Sequence, residues 1–480
     1  MNKKGGFLIK TQSKRVLIVI AGILVLCLLG AVIGWNRASI AFPVGAGRAA
    51  KLLCSNVFVS GRTPEDVFKE DLADIARYIT TDVDYEQQQV TAAMGPFKRR
   101  AIYRQGLGCT VVDPDSGEVA GQPIVMEDVS TSMLQEGAAW PAGNVVSLDE
   151  LPPEVDGVKL RSAMDAAFAE PDPKLLVKTR AIVVVYDGQI IAERYAPGFS
   201  KNTPMISWSM AKSLTNALVG ILVGQGKLSL DKPAPVPEWS DPDDERRAIT
   251  LDQLMRMSSG LSFDESYGAF SEVSVMLFDK ADSAAYAAEK PLVEEPDSFW
   301  HYSSGTSNII SRIVRDAVEG TAQDALEFPH RALFDPIGMS SAVFEPDASG
   351  TFVGSSFVQA TARDYARFGL LYLQDGMWEG ERILPEGWVA YTTTPTPNAP
   401  QGQYGAQWWL NSGPETNESD RKWPGLPSDI FYADGHDGQY IVVIPTRDLV
   451  LVRLGFTPDK EAWDLGTFIS EVLDAIPETG

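Results

Sequence analysis

The chain has 480 residues, of which 44% are hydrophobic, enough to build a substantial core in two or three domains. It carries 41 basic and 64 acidic residues, for a net charge of −23. Because such an acidic surface repels polyanions, we expect no nucleic-acid partner.

The first distinctive segment is an uncharged apolar run at residues 16–35. At about 1.5 Å per helical residue it matches the ~30 Å hydrocarbon layer of a bilayer, which predicts one transmembrane helix. A cleaved signal peptide is the alternative, but its apolar part is usually only ~7–15 residues long. Five cations precede the run and predict a cytoplasmic N-terminus, with the rest of the chain on the periplasmic side of the inner membrane: Lys3, Lys4, Lys10, Lys14 and Arg15.

We predict three parts: a basic tail and anchor at residues 1–35, an N-terminal region of unassigned role at 36–150, and a catalytic domain at 151–480. A proline- and acid-rich stretch, 148–156, marks the second boundary. In the middle part, Thr63 and Pro64 predict a helix start, and apolar spacing extends that helix to Ile79. Residues 99–104 and 109–112 favour strands, and 113–117 a turn.

The two cysteines outside the apolar run are Cys54 and Cys109. In an oxidising exported compartment we expect them to form a disulfide. Two buried free thiols are the alternative.

The catalytic part combines strands at both ends with a helical middle. Residues 158–169 predict a helix, and 181–194 a β-hairpin around Asp187 and Gly188. Residues 230–390 are mainly helical and loop-rich, whereas 440–445 and 449–454 predict a second hairpin and 463–476 a closing helix. This order indicates an α+β fold, an α/β sandwich with an antiparallel sheet and a helical subdomain.

Ser209 and Lys212 form a Ser-x-x-Lys pair at the head of an apolar run, residues 214–223. The apolar spacing predicts a helix ending near Gly226, so the serine and lysine share one helix face. A serine nucleophile needs a base, and a lysine can serve when desolvation lowers its pKa from about 10.4 towards ~7–8. An ordinary serine N-cap followed by a solvated lysine is the alternative.

Other hydrolase signatures are missing from the sequence. The chain has three histidines, no Gly-x-Ser-x-Gly elbow and no metal-binding histidine pair, so we expect no metal or cofactor. Tyr302 is a candidate second proton carrier, the alternative being a buried structural tyrosine. Gly435 and Gly438 flank a short turn before a strand, where backbone can approach a substrate and lend an N–H to an oxyanion. A simple turn is the alternative.

Taken together these residues resemble the serine β-lactamase-related hydrolases, in particular the class C-like branch with its esterases, D-amino-acid peptidases and 6-aminohexanoate-dimer hydrolases. The resemblance spans about residues 165–475 and keeps the family's order. Besides Ser-x-x-Lys and Tyr302, it rests on the blocks at residues 226–233, 249–261, 361–369, 383–385, 404–410 and 435–439. It implies a β-lactamase/transpeptidase-like fold.

The resemblance also implies residue roles. Ser209 would be the acylated nucleophile, Lys212 its base and Tyr302 the proton shuttle, with the N–H groups of Ser209 and Gln439 forming the oxyanion hole. Two positions depart from the family pattern. Ser304 replaces the asparagine of Tyr-x-Asn, and His436-Asp-Gly438 replaces Lys-Thr-Gly, which exchanges a permanent cation for a titratable group.

These departures argue against efficient β-lactam hydrolysis and favour a small amide or ester substrate. We therefore predict a membrane-anchored serine hydrolase. The alternatives are a non-catalytic receptor or scaffold on the same fold, and a D-alanyl carboxypeptidase or β-lactamase.

Overall fold

The structure, a computed structural model, describes residues 6–112, 119, 134–135, 137–413 and 420–477; the side chains of residues 6–29, 31 and 33 are also outside the description. The turn predicted at 113–117 lies outside the described residues. The N-terminal elements are two helices and a four-stranded antiparallel sheet in the order β1-β2-β3-β4: α1 (Gly6–Phe58), α2 (Pro64–Glu70), β1 (Ile79–Asp84), β2 (Gln89–Met94), β3 (Phe97–Arg104) and β4 (Gly108–Val112).

The predicted transmembrane segment, residues 16–35, falls on α1, mostly where side chains are not described. Among the described residues, no helix combines the length and apolar character needed to cross a membrane. The anchor therefore stays a prediction.

The helix predicted to start at Thr63 is shorter than its apolar spacing indicated. The Thr63 side chain caps it by accepting from the Asp66 N–H, and Pro64 occupies the first turn, as expected. However, α2 ends at Glu70, and Ile79 opens β1, paired with Met94. The prediction that the helix reaches Ile79 is wrong, because cross-strand pairing overrides a local pattern that both structures can satisfy.

The catalytic part begins with a helix and hairpin, passes through a helical middle, and returns to strands. Its elements are α3 (Gly157–Phe168), β5 (Thr179–Tyr186), β6 (Gln189–Tyr195), β7 (Met205–Ile206), α4 (Ala211–Gly224), α5 (Leu251–Met255), α6 (Glu272–Asp279), α7 (Ser283–Ala288), α8 (Ser304–Ala317), α9 (Ala322–Pro329), β8 (Val343–Phe344), β9 (Val358–Ala360), α10 (Ala362–Leu373), β10 (Met377–Trp378), β11 (Glu381–Arg382), α11 (Trp388–Thr393), β12 (Trp409–Leu410), β13 (Phe431–Gly435), β14 (Gln439–Ile444), β15 (Leu449–Gly455) and α12 (Leu465–Leu473).

A six-stranded antiparallel sheet, in the order β12-β13-β14-β15-β5-β6, forms the middle layer. Successive residues of β5 point to opposite faces: Val183 packs in the core that contains α10, and Val184 in the core of α3 and α12. Both predicted hairpins are confirmed, with Asp187 and Gly188 at positive φ in the first turn. The mixed α/β sandwich with a helical subdomain is confirmed.

The described part of the N-terminal region shares its apolar core with the catalytic part. A buried ion pair lies at the junction, where Lys51 Nζ is 2.8 Å from Glu345 Oε2 and both side chains are at most 2% exposed. Glu345 Oε1 also accepts from the Ser55 hydroxyl and the Cys109 N–H, each at 2.7 Å. Cys54 and Cys109 are joined by a disulfide, with Cα atoms 6.0 Å apart. Thus α1 and β4 both contact the buried Glu345 carboxylate of the catalytic part.

Candidate active site

The nucleophile candidate lies on a short 3₁₀ turn, Trp208–Met210, that leads into α4. Trp208 has a φ of +45°, an unusual left-handed conformation for a large residue. The residue that caps α4 is Met210, so the Ser209 hydroxyl is not used as an N-cap. It faces Lys212 instead, which removes the ordinary helix-start interpretation.

The Lys212 ammonium is 1% exposed and is held by three oxygen atoms. Its Nζ lies 3.0 Å from Ser209 Oγ, 3.0 Å from Ser304 Oγ and 3.1 Å from the Ser355 carbonyl oxygen. An ammonium has three N–H donors, so these acceptors satisfy all of them and fix the nitrogen beside the serine.

Burial lowers the pKa of Lys212 to about 8, because desolvation penalises the charged form. The carboxylates of Glu265 and Asp434 act in the opposite direction, but the burial effect is larger. A lysine in this range is partly neutral near neutral pH, and only the neutral amine can accept a proton.

Tyr302 lies beside this pair, with the Lys212 Nζ 4.8 Å from the centre of its ring. Burial raises the pKa of Tyr302 well above its ordinary value of 10.0, and interaction with Ser209 partly opposes that rise. The phenol is therefore protonated at neutral pH and can act as a proton donor next to the nucleophile.

Ser304 connects the lysine to Glu265. The Ser304 hydroxyl accepts from Lys212 and donates to Glu265 Oε1 at 2.5 Å, while its N–H donates to Glu265 Oε2 at 2.8 Å. The position that holds asparagine in the family pattern thus carries a relay between the base and a carboxylate.

Sequence reasoning missed Glu265 and Tyr267. The Tyr267 phenol interacts with Ser209 and Ser304, and burial raises its pKa. Both residues lie in an irregular loop, and Tyr267 has a φ of +57°. Because no periodic pattern exists in such a loop, the available signal was a polar, tyrosine-bearing stretch directly after the block at residues 249–261.

His436 packs flat against Tyr267, with ring centres 4.7 Å apart and planes at 6°, and edge-on to Trp208 at 5.6 Å. Burial lowers the pKa of His436 below its ordinary 6.5, so the imidazole is neutral at pH 7. The site therefore has no permanent cation at this position, in agreement with the expected consequence of the sequence change.

The β13–β14 hairpin approaches the nucleophile turn very closely. A Cβ added at Gly435 would lie 2.2 Å from the Ser207 carbonyl oxygen, so this contact requires glycine. Gly438 has a φ of +84°, and a Cβ there would meet the Arg453 guanidinium at 2.0 Å.

The Gln439 side chain is occupied by hydrogen bonds to Gly455, at 2.8 Å and 2.9 Å, and to the His436 carbonyl oxygen. The backbone of Gln439, rather than its side chain, is thus the part that could serve an oxyanion.

Several of these residues line one cavity of about 640 Å³, within the range of small-molecule sites; Lys212, Ser304 and Gln439 lie behind its walls. Its walls bring together Ser209, Tyr302, Tyr267, His436 and Gly438, together with Trp409, Lys422, Asp434 and Lys460 on the far side. Among the described residues, no group of three or more histidine, cysteine or acidic side chains is arranged to hold a metal ion.

Comparison with known proteins agrees with this arrangement. The family model described as Beta-lactamase matches residues 176–461, more than half of the chain. The 6-aminohexanoate-dimer hydrolase of Paenarthrobacter ureafaciens is 25% identical over 69% of this chain and 83% of its own.

Two solved structures share the fold. A putative 6-aminohexanoate-dimer hydrolase from Bacillus anthracis has a TM-score of 0.53 and 23% identity, over 66% of this chain and 83% of its own. A putative beta-lactamase from Bacteroides dorei DSM 17855 has a TM-score of 0.51 and 18% identity, over 66% and 96%. The chain therefore belongs to the beta-lactamase family and is a hydrolytic enzyme.

Proposed function

We propose that this protein cleaves a small amide or ester through an acyl-enzyme formed on Ser209. The observation that carries the proposal is a buried lysine amine, with a pKa of about 8, held 3.0 Å from the serine oxygen. An adjacent base of this kind makes a serine hydroxyl nucleophilic near neutral pH.

In acylation, neutral Lys212 accepts the Ser209 proton while the serine oxygen attacks the substrate carbonyl carbon. The N–H groups of Ser209 and Gln439 would stabilise the negative charge that develops on the carbonyl oxygen. Tyr302 donates its proton to the departing nitrogen or oxygen and regains one from Lys212. The leaving group departs as a neutral amine or alcohol, and Lys212 is neutral again.

In deacylation a water molecule replaces the leaving group. Lys212, through Tyr302, accepts the water proton as the water oxygen attacks the acyl carbon. The proton then returns to the Ser209 oxygen as the acid is released. The same two groups serve both steps, since each begins and ends with a neutral amine and a protonated phenol.

One feature favours an amide or ester without a required carboxylate. Neutral His436 provides no fixed cation at the position where the family pattern has lysine. Separately, the name of the Paenarthrobacter relative, a 6-aminohexanoate-dimer hydrolase, supports a linear amide among the candidate substrates.

The cellular setting is also a proposal. The apolar run at 16–35 and the five preceding cations support a single-pass anchor in the inner membrane, with the catalytic part on the periplasmic side.

The test is active-site labelling of the full-length chain. A fluorophosphonate probe should label the wild type and not Ser209→Ala, and the same variant should lose turnover of p-nitrophenyl acetate while keeping its melting temperature. Ser213→Ala is the matched control, because Ser213 is a buried serine four residues further on, in α4, whose hydroxyl donates to the Gln407 carbonyl oxygen. Unchanged labelling of Ser209→Ala would refute the proposal.

The alternatives give different results in the same assays. Stoichiometric acylation without turnover would indicate a receptor or scaffold. Release of D-alanine from a cell-wall peptide would indicate a carboxypeptidase, and rapid nitrocefin hydrolysis a β-lactamase.

A further inference from the structure

A second cavity of about 420 Å³ lies next to the catalytic one, between α1 and the catalytic part. The two cavities share Tyr267, His436 and Asp437 as a common wall. Trp208, the residue immediately before the nucleophile, also lines the second cavity. Because consecutive Cα atoms are about 3.8 Å apart, the wall that Trp208 forms in the second cavity lies close to Ser209.

The second cavity is mainly apolar. Its apolar walls come from α1, from the active-site turn and loop, and from α6: Ala41, Phe42, Val44, Leu52, Trp208, Ala269 and Phe278. Such a lining favours an apolar occupant, because the occupant removes hydrocarbon surface from water on both sides.

Four of the charged groups around this cavity form two ion pairs. Arg48 lies 2.6 Å from Asp74, and Arg180 lies 2.9 Å from Asp71. The wall residue Asp437 is 3.4 Å from the His436 ring, but the imidazole is neutral, so this contact is not an ion pair. An occupant with a formal charge would have to compete with the two ion pairs, which favours a neutral group.

We propose that the second cavity binds the alkyl chain of the substrate's acyl group, which makes the enzyme selective for medium-chain and longer acyl esters or amides. In this proposal the acyl carbonyl lies at Ser209, and the chain crosses the shared wall beside His436, whose side chain is 39% exposed, to enter the cavity beside α1. This inference rests on the proposed function, because it assigns the acyl side of the same reaction.

The test is a chain-length series of p-nitrophenyl esters, from acetate through butyrate and hexanoate to octanoate, with the full-length chain in detergent-free phospholipid nanodiscs. The wild-type kcat/KM should rise by about tenfold or more from acetate to octanoate, because each added methylene is buried. Detergent is avoided because its own alkyl chain would compete for the cavity.

Two variants reduce the cavity. Ala41→Trp and Ile75→Trp each place a large ring among its lining residues, and should lower the octanoate-to-acetate ratio of kcat/KM by about fivefold or more. Ile40→Trp is the matched control: Ile40 is 46% exposed on the same helix and does not line the cavity, so its ratio should equal that of the wild type. Melting temperatures identify the variants that fold, and either filling variant suffices.

The outcomes separate the two proposals. A flat chain-length profile with Ser209-dependent acetate turnover overturns the acyl-chain site alone. An unchanged ratio in a folded filling variant, or an equal fall in Ile40→Trp, also overturns it. Acetate turnover that survives Ser209→Ala overturns the proposed function and the acyl-chain site with it.

Discussion

Replacing Glu265 by glutamine should make the enzyme more active at neutral pH. Lys212 and Glu265 both contact the Ser304 hydroxyl oxygen, at 3.0 Å and 2.5 Å. Because the two bonds meet at one atom, the ammonium nitrogen and the carboxylate oxygen are at most about 5.5 Å apart, the sum of the two bonds. At an effective dielectric constant of about 20, this attraction is worth about 3 kcal/mol, or about two pKa units.

The sign of the effect follows from the charge that Glu265 stabilises. Its carboxylate favours the ammonium form of Lys212, so its removal lowers the lysine pKa from about 8 towards about 6. The neutral fraction at pH 7 then rises from roughly one tenth to roughly nine tenths, and kcat/KM rises by up to about tenfold. Near pH 10 the two enzymes should converge, because both amines are then neutral.

The assay is the pH profile of kcat/KM for p-nitrophenyl acetate between pH 5 and pH 10. The quantity to read is the apparent pKa of the acid limb, expected at about 8 in the wild type. The position of the limb reports the charge effect, whereas a drop at every pH reports displacement of Ser304. Glu319→Gln is the control, since it removes one negative charge at a side chain that is 87% exposed. An acid limb in Glu265→Gln that stays in place or moves to higher pH would refute the assignment of Lys212 as the base.

Three further outcomes are expected. Tyr302→Phe should lower kcat by about 10²-fold or more, because the proton donor is lost. Tyr267→Phe keeps the ring stack on His436 and should lower kcat only about tenfold, the effect of one hydrogen bond. Steady-state kinetics on an amide substrate compares the two variants. Glu345→Gln leaves the Lys51 ammonium buried without its carboxylate and should destabilise the protein by about 3 kcal/mol in urea unfolding; a change below about 0.5 kcal/mol would contradict the buried pairing. Cys54→Ser opens a loop with a sequence separation of 55 residues and should cost about 4 kcal/mol of stability, and the same midpoint with and without reductant in the wild type would speak against the bond.

Local patterns predicted the parts of the fold and site that depend on local structure. Ser209, in the 3₁₀ turn, and Lys212, in the first turn of α4, are only three residues apart, so local spacing alone brought them together. The hairpin at Asp187 and Gly188 was equally local, because its turn residues dictate the pairing. The prediction that α2 extends to Ile79 was wrong for the opposite reason. Ile79 belongs to a strand because it pairs with Met94, a residue outside the segment whose spacing was considered.

Other contacts between distant segments were not predicted, although the Cys54–Cys109 disulfide and the position of Tyr302 beside Lys212 were. Glu265 and Tyr267 reach the site from an irregular loop whose backbone no periodicity describes. The Lys51–Glu345 pair joins two elements far apart in the chain, and neither residue stands in a motif. Burial and pairing of this kind follow from tertiary packing, which a single sequence does not display.

The junction at Lys51 and Cys54 has a mechanical consequence. The helix α1 extends from Gly6 to Phe58 and contains Pro43. Near its end an ion pair joins Lys51 to Glu345 of the catalytic part, and a disulfide joins Cys54 to Cys109 of β4. Because the buried ion pair and the disulfide both lie near the end of α1, its last turns keep a fixed position against the catalytic part, and with them the side of the second cavity that α1 forms.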